Sequence, residues 1–246
     1  MQERTELRAA VSNASRGRRD TDAPEKQRRG TGRTIRGRQT RRQLLDAAKV
    51  VFERDGFVHA RIVDICDLAG ISHGSFYTYF VSKEEIFNEI TDSVELDLLT
   101  LDPAPEDADP IERIRLANEH YLRVYGANAK LMRVIHQVST IDERVRETRI
   151  QRQDAFGRAI ERRVRHLQEA GIADPTIDAA YAAQALGGMV AYFAEYLFNT
   201  NNLFGFDLDG ATEQLTRIWT NALGIPVPAE DDAPSGDPRA DHRPSG

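Results

Sequence analysis

One cysteine in 246 residues, Cys66, rules out an intramolecular disulfide, and with no charged-then-apolar leader the expected setting is a reducing cytoplasm. Long hydrophobic runs are also missing. The greasiest stretch, Ala185 to Phe198, is interrupted by Glu195 and is shorter than the ~20 residues a bilayer crossing takes. The six histidines, His59, His73, His120, His136, His166 and His242, fall at no metal-ligand spacing. No Glu-x-x-His pair for a di-iron bundle, no phosphate loop and no Gly-x-Ser-x-Gly elbow occur either. An enzyme is therefore not expected, nor is a metal or a cofactor.

The sequence has the material for a core, with 40% hydrophobic and 29% charged residues, which suits one or two globular units. Its formal charge of −6 looks wrong for a nucleic-acid partner until it is divided along the chain. Residues 1–42 carry 13 Lys/Arg against 5 Asp/Glu, whereas 43–92 carry 4 against 9 and the tail 226–246 carries 2 against 5. Between 26 and 42 eight basic residues stand with no acid, interspersed with Gly30, Gly32 and Gly37. Such a segment is not expected to fold alone. Residues 1–39 thus read as a disordered basic arm, suited to neutralising phosphates or entering a minor groove. Residues 226–246 read as a disordered acidic tail.

Between these ends the pattern is helical throughout, an all-α chain. Helix 1, from near Thr40 to Asp55, repeats Leu44, Leu45, Ala48, Val51 and Phe52 at helical spacing, and Gly56 stops it. Helix 2, from about Arg61 to Ala69, is expected to turn Ile62, Ile65 and Leu68 inward, with Cys66 as a small buried residue. Ala69-Gly70-Ile71-Ser72 then reads as a helix end, a tight turn and a serine cap, the grammar of a helix-turn-helix. Helix 3 carries His73 to Tyr79, with Phe76 and Phe80 spaced to face inward. Ser82 and Glu85 form a capping box for helix 4, which is expected to run to about Leu101.

Past a loop at Asp102–Asp109, the run Asp109-Pro110-Ile111-Glu112 starts helix 5, expected to bury Ile114, Ala117, Tyr121, Val124 and Tyr125. Helix 6 uses Leu131, Met132, Ile135 and Val138. Helix 7, about Asp142 to Ala170, has a narrow stripe of Phe156, Ile160, Val164 and Leu167 among eight arginines. Those arginines invite a second nucleic-acid surface, but acids on the same helix make a paired solvated face the preferred reading. Asp174-Pro175-Thr176 is expected to open helix 8, which runs to about Asn201, and helix 9 covers about Asp209 to Leu223.

Residues 40–90 resemble the TetR family of transcriptional regulators. The matching residues are Gly56, Ile65-Cys66, Ala69-Gly70-Ile71-Ser72, Gly74-Ser75-Phe76-Tyr77-Thr78-Tyr79-Phe80 and Ser82-Lys83-Glu84-Glu85-Ile86. The departure is Ala60-Arg61, where the family has a Thr-Thr pair opening helix 2. The resemblance implies a DNA-binding head at 40–90, a helical ligand-binding and dimerisation domain at 91–225, and a homodimer made through the last two helices. It implies a ligand-responsive regulator, a repressor rather than an activator, that leaves a pseudo-palindromic operator when a small effector binds. A helical adaptor of the same fold without sequence-specific DNA binding is the alternative class.

The residues expected at DNA follow from groove geometry, since the first turns of a helix in the major groove present side chains to base edges. His73, Ser75, Tyr77 and Thr78 form the exposed patch, and Gly74 lets the helix approach the backbone. Tyr79 and Lys83 are expected on phosphates, with Arg61 replacing the missing threonine contact and Arg36, Arg38 and Arg41 adding charge. For the effector, which in the family sits among helices 5 to 8, the candidates are Tyr121, Tyr125, Met132, His136, Phe156, Tyr181, Met189 and Phe193. The set has few charges, so a largely apolar effector is expected.

Overall fold

The computed structural model describes residues 34–100, 108–200 and 202–226, apart from the side chains of residues 144, 148 and 152. The arm up to residue 33, the tail from 227 and the loop at 101–107 lie outside the described residues, as do the side chains of Arg144 and Arg152. The described chain is all-α: α1 Ile35–His59, α2 Ile62–Ala69, α3 His73–Tyr79, α4 Lys83–Leu99, α5 Pro110–Ala127, α6 Ala129–Ile141, α7 Glu143–Glu169, α8 Ala179–Asn199 and α9 Leu208–Ala222.

Helix α1 begins five residues before the expected start. Thr34 is its cap, with Oγ1 accepting from the Gly37 N–H at 3.0 Å, and Gly37 is buried. One cap and one packed glycine thus carry Arg36 and Arg38 onto the helix rather than the arm. At the other end Gly56 has φ 72°, a left-handed conformation that glycine adopts at little cost, and it kinks α1 before a last turn at 57–59. Gly70, φ 66°, closes α2 in the same conformation.

Phe52, Phe76, Phe80 and Phe87 are fully buried together with Leu44, Ile65 and Ile86. The Phe52 and Phe87 rings meet edge-on at 5.1 Å, so α1, α3 and α4 close on one aromatic core. Cys66 belongs to it, and burial pushes its thiol up from the usual value. Leu68 does not: it is 52% exposed, because α2 packs on α1 and α3 through Ile65 and Cys66 and its far side meets solvent.

Helix α4 runs unbroken through position 90 and packs on α1 as well as on α5 and α7. In the bundle α5 is the hub, against α4, α6, α8 and α9, while α7 and α8 form the longest pairing. Its buried residues are Asn118, Leu122 and Tyr125, a phase shifted from the expected one. The reason is long-range: the Asn118 amide donates to Thr216 Oγ1 of α9 at 3.2 Å, which lets a polar residue take the inner face. The stripe on α7 is as expected, with Ile160 and Val164 buried.

Helix α8 starts later than expected. Asp174 is an Asx turn, its Oδ1 accepting from the Thr176 N–H and hydroxyl at 2.8 and 2.7 Å, and Asp178 is the cap, accepting from Ala180 and Tyr181. On α9, Ala211, Leu215 and Trp219 are buried, but Ile218 is exposed.

Candidate nucleic-acid interface

Seven residues make α3, and two anchors fix it. Phe76 and Phe80, both fully buried, lock one side into the hydrophobic core, and the Ser72 cap holds its start, with Oγ accepting from the Ser75 N–H at 3.4 Å. The opposite side therefore presents His73, Gly74, Tyr77 and Thr78 to solvent. Tyr77 is ordered in that position by rings on either side, Phe76 at 5.5 Å and His73 at 5.3 Å. Ser75 is half-buried with its hydroxyl 2.8 Å from that of Ser72. Nothing lies within 4 Å of a Cβ built on Gly74, so the glycine leaves open space on the outer surface.

The basic residues of this region are engaged within the fold. Lys83, expected on phosphate, donates from Nζ to the Phe57 and Ala60 carbonyls at 2.8 and 3.0 Å and to Val58 at 3.4 Å. Those carbonyls belong to the kinked end of α1, where a cation is favoured by the helix dipole and by acceptors without a helical partner. Its ammonium also lies 4.7 Å over the Phe57 ring. Arg41 forms a two-pronged pair with Glu89 of α4 and stacks over Phe80 at 4.6 Å. Partial burial lowers the pKa of its guanidinium, against the opposing pull of Glu85.

Arg61 grips Asp64 through two hydrogen bonds of 2.8 Å, which hold that carboxyl below its usual value. Arg54 pairs with Asp55 and Lys49 with Asn128 at 2.7 Å. Tyr79 is half-buried against the core. Arg36, Arg38 and Arg42, counted among the basic residues of 26–42 in the sequence, are exposed on the first turns of α1.

Among the effector candidates, the fold brings three together. Tyr121 stacks near Tyr125 at 6.3 Å and near Phe156 at 6.4 Å, and Phe198, unforeseen, extends the row from Tyr125 at 6.2 Å. Asn199 donates to the Tyr125 hydroxyl at 3.1 Å. Burial pushes the Tyr121 phenol well above the usual tyrosine range, with Tyr125, Glu95 and Glu195 adding and Arg149 opposing. Met132 and Met189 are half-buried beside the core.

The other candidates lie elsewhere. Phe193 faces the α8–α9 connection, 5.6 Å from Phe206. His136 is exposed, 3.5 Å from Arg149, and Tyr181 is 81% exposed. Tyr181 stands on the first turn of α8, apart from the aromatic row. Among the described residues no cluster of three metal-ligating side chains exists and no helix is long and apolar enough to cross a membrane.

Described residues that are all-α, with a capped helix after a glycine turn, define the helix-turn-helix class. Family models match at residues 44–90, bacterial regulatory proteins of the tetR family, and at 107–195, a tetracyclin repressor-like C-terminal domain. The chain belongs to the tetR family. It is 26% identical over 123 residues to the transcriptional regulator TtgR of Pseudomonas putida, which covers 48% of this chain and 59% of that one. It is 31% identical over 134 residues to the repressor KstR2 of Mycobacterium tuberculosis, covering 49% and 66%. The solved structure of NalD, a secondary repressor of a multidrug efflux pump in Pseudomonas aeruginosa, superposes with a TM-score of 0.58 at 20% identity, over 76% of this chain and 97% of that one.

Proposed function

We propose that this protein is a cytoplasmic, ligand-responsive transcriptional repressor that binds a pseudo-palindromic operator as a homodimer. The observation that carries the reading is α3: its inner side is locked by Phe76 and Phe80 while His73, Gly74, Tyr77 and Thr78 face outward on one short helix. Two such heads related by a two-fold axis read inverted half-sites. The names of KstR2 and NalD, both repressors, favour repression.

On this reading the effector binds beside the row Tyr121, Tyr125, Phe156 and Phe198, and its body is apolar and flat. Charges of both signs, Glu95, Glu195 and Arg149, act on Tyr121 from nearby. Helix α4 carries the response. It packs on α5 and α7 beside that row and holds α1 through Arg41–Glu89, so a displacement of α4 moves the head.

Binding to DNA from upstream of the gene itself, followed by fluorescence anisotropy, tests the reading. His73→Ala and Thr78→Ala should each shift the preference among operator variants, by about 1–3 kcal/mol for a contacted base pair. Unaltered preference in both variants overturns α3 as the reader. Removal of residues 1–33 should flatten the salt dependence, since each Lys/Arg–phosphate pair contributes roughly 0.9 to the slope and the head's own cations from Lys49 to Lys83 are paired internally. Full-length affinity with the same slope would discard the arm's role.

A further inference from the structure

Helix α1 leans on the bundle as well as on its own head. It packs on α6, and at the α5–α6 corner Lys49 Nζ donates to Asn128 Oδ1 at 2.7 Å, a tie between residues 79 positions apart that does not pass through α4. Asn128 stands between two helices, at the end of α5 and the start of α6. A short polar residue at a helix start ordinarily turns its oxygen onto the first N–H groups of that helix, as Ser72, Ser82, Asp109, Asp178 and Asp207 do. The Asn128 side chain makes no such cap on α6. Its amide nitrogen donates to the Val124 carbonyl in the last turn of α5 at 2.8 Å, and its oxygen goes to Lys49. The two contacts fix the orientation of the amide, since an ammonium only donates and a carbonyl only accepts.

The corner that carries Asn128 is itself held from behind. A Cβ built on Gly126 would lie 2.7 Å from the Phe198 ring, closer than packed carbons approach, so glycine at 126 lets α8 seat that ring on the last turn of α5. Tyr125 stacks on the same ring at 6.2 Å, and its hydroxyl accepts from Asn199 at 3.1 Å. Lys49 therefore reaches a point fixed by α5 and α8 together. Arg41, eight residues earlier and so about 12 Å back along α1, is tied to Glu89 of α4. A rod tied at one point pivots about it, whereas a rod tied at two keeps its angle.

We propose that Lys49 and Asn128 are positioning residues for operator recognition, a strut that sets the angle at which each bundle presents its head. In a homodimer that angle fixes the distance between the two α3 helices, and with it the half-site spacing that the operator must have. Phe198 and Gly126 serve the same end by holding the corner on which the strut stands. The inference rests on the two-headed operator reading above and adds to it the side chains that set the spacing.

The test measures, by fluorescence anisotropy, binding of the full-length protein to DNA from upstream of its own gene and to two copies with one base pair inserted or removed between the half-sites. One base pair moves a half-site by about 3.4 Å and turns it by about 34°, so the parent should prefer the natural spacing by about tenfold or more. Lys49→Met and Asn128→Ala should each reduce that preference to about twofold, and the double variant should go no further, because both substitutions remove one interaction. Asn128→Asp, which keeps an acceptor for Lys49, should retain it. A role confined to stability lowers the melting temperature and weakens binding to the three DNAs equally, leaving their ratio untouched. An unchanged ratio in both Lys49→Met and Asn128→Ala overturns the strut alone. A parent that binds the three DNAs equally, or binds none of them, overturns it together with the two-headed reading on which it rests.

Discussion

The head and the bundle are both helical, yet the interactions that shape them span different distances along the chain. In the head many are local, Thr34 to Gly37, Ser72 to Ser75, Ser82 to Glu85, Arg61 to Asp64 and Phe76 to Phe80, beside the longer ties of Arg41 to Glu89 and of Lys83 to the end of α1. In the bundle the defining contacts join Asn118 to Thr216, Tyr125 to Asn199 and the Asp174 N–H to the Leu223 carbonyl. Short-range ties thus shape the outer surface of the head segment by segment, whereas the form of the bundle depends on residues far apart in the chain.

The largest test of this comparison is Phe80→Ala. The ring is fully buried beside Phe76 and supports Arg41 of α1, so its loss should cost about 3–5 kcal/mol and abolish DNA binding. Chemical denaturation should show the head melting first, separating the transition into two steps. A single cooperative transition with unchanged midpoint would mean that Phe80 is not the keystone of the head.

How much of this was legible in the sequence follows the same division. Caps and turns are written in three or four adjacent residues, so Ser72, Gly70, Ser82 and Asp109 could be read directly, and the inward spacing of Phe76 and Phe80 with them. Helical phase was less readable. On α5 several apolar residues could have faced inward, and only the partner hydroxyl of Thr216, 98 residues away, explains why Asn118 does. Tyr181 and Phe156 look alike in sequence, as aromatic residues on long helices, but only one lies inside the bundle. Lys83 is a related case: a lysine after a serine cap looks solvent-facing until the carbonyls of the kinked α1 end are placed beside it.

Lys83→Met gives the intermediate effect. If Lys83 serves the end of α1, as its three carbonyl contacts indicate, the substitution should destabilise the head by about 1–2 kcal/mol. It should leave the salt slope of DNA binding unchanged. A phosphate contact gives the reverse pattern, a slope smaller by about one unit with little change in the melt. Measuring both quantities on the same variant separates the two roles.

The smallest expected effect lies on the bundle surface. Glu119 accepts hydrogen bonds from Arg123 and, at 2.9 Å, from Arg115, and these hold its carboxyl below its usual value. A carboxylate whose folded value is depressed contributes stability above its unfolded value, roughly 4.3 for Glu, and that contribution fades as the pH falls through the lower folded value. The pair is substantially exposed, with Arg115 at 40% and Arg123 at 66%, so solvent screening limits it to about 0.5 kcal/mol. Glu119→Gln should accordingly lower the melting temperature slightly at pH 7, and the difference should vanish once the pH falls below the depressed folded value, where the parent carboxyl is protonated as well. Unlike the Arg41–Glu89 pair, this one joins no two helices, so operator affinity should not change with it. A loss of affinity in Glu119→Gln would show that the α5 surface is coupled to the head, and the contrast between a fixed head and an independent bundle surface would have to be withdrawn.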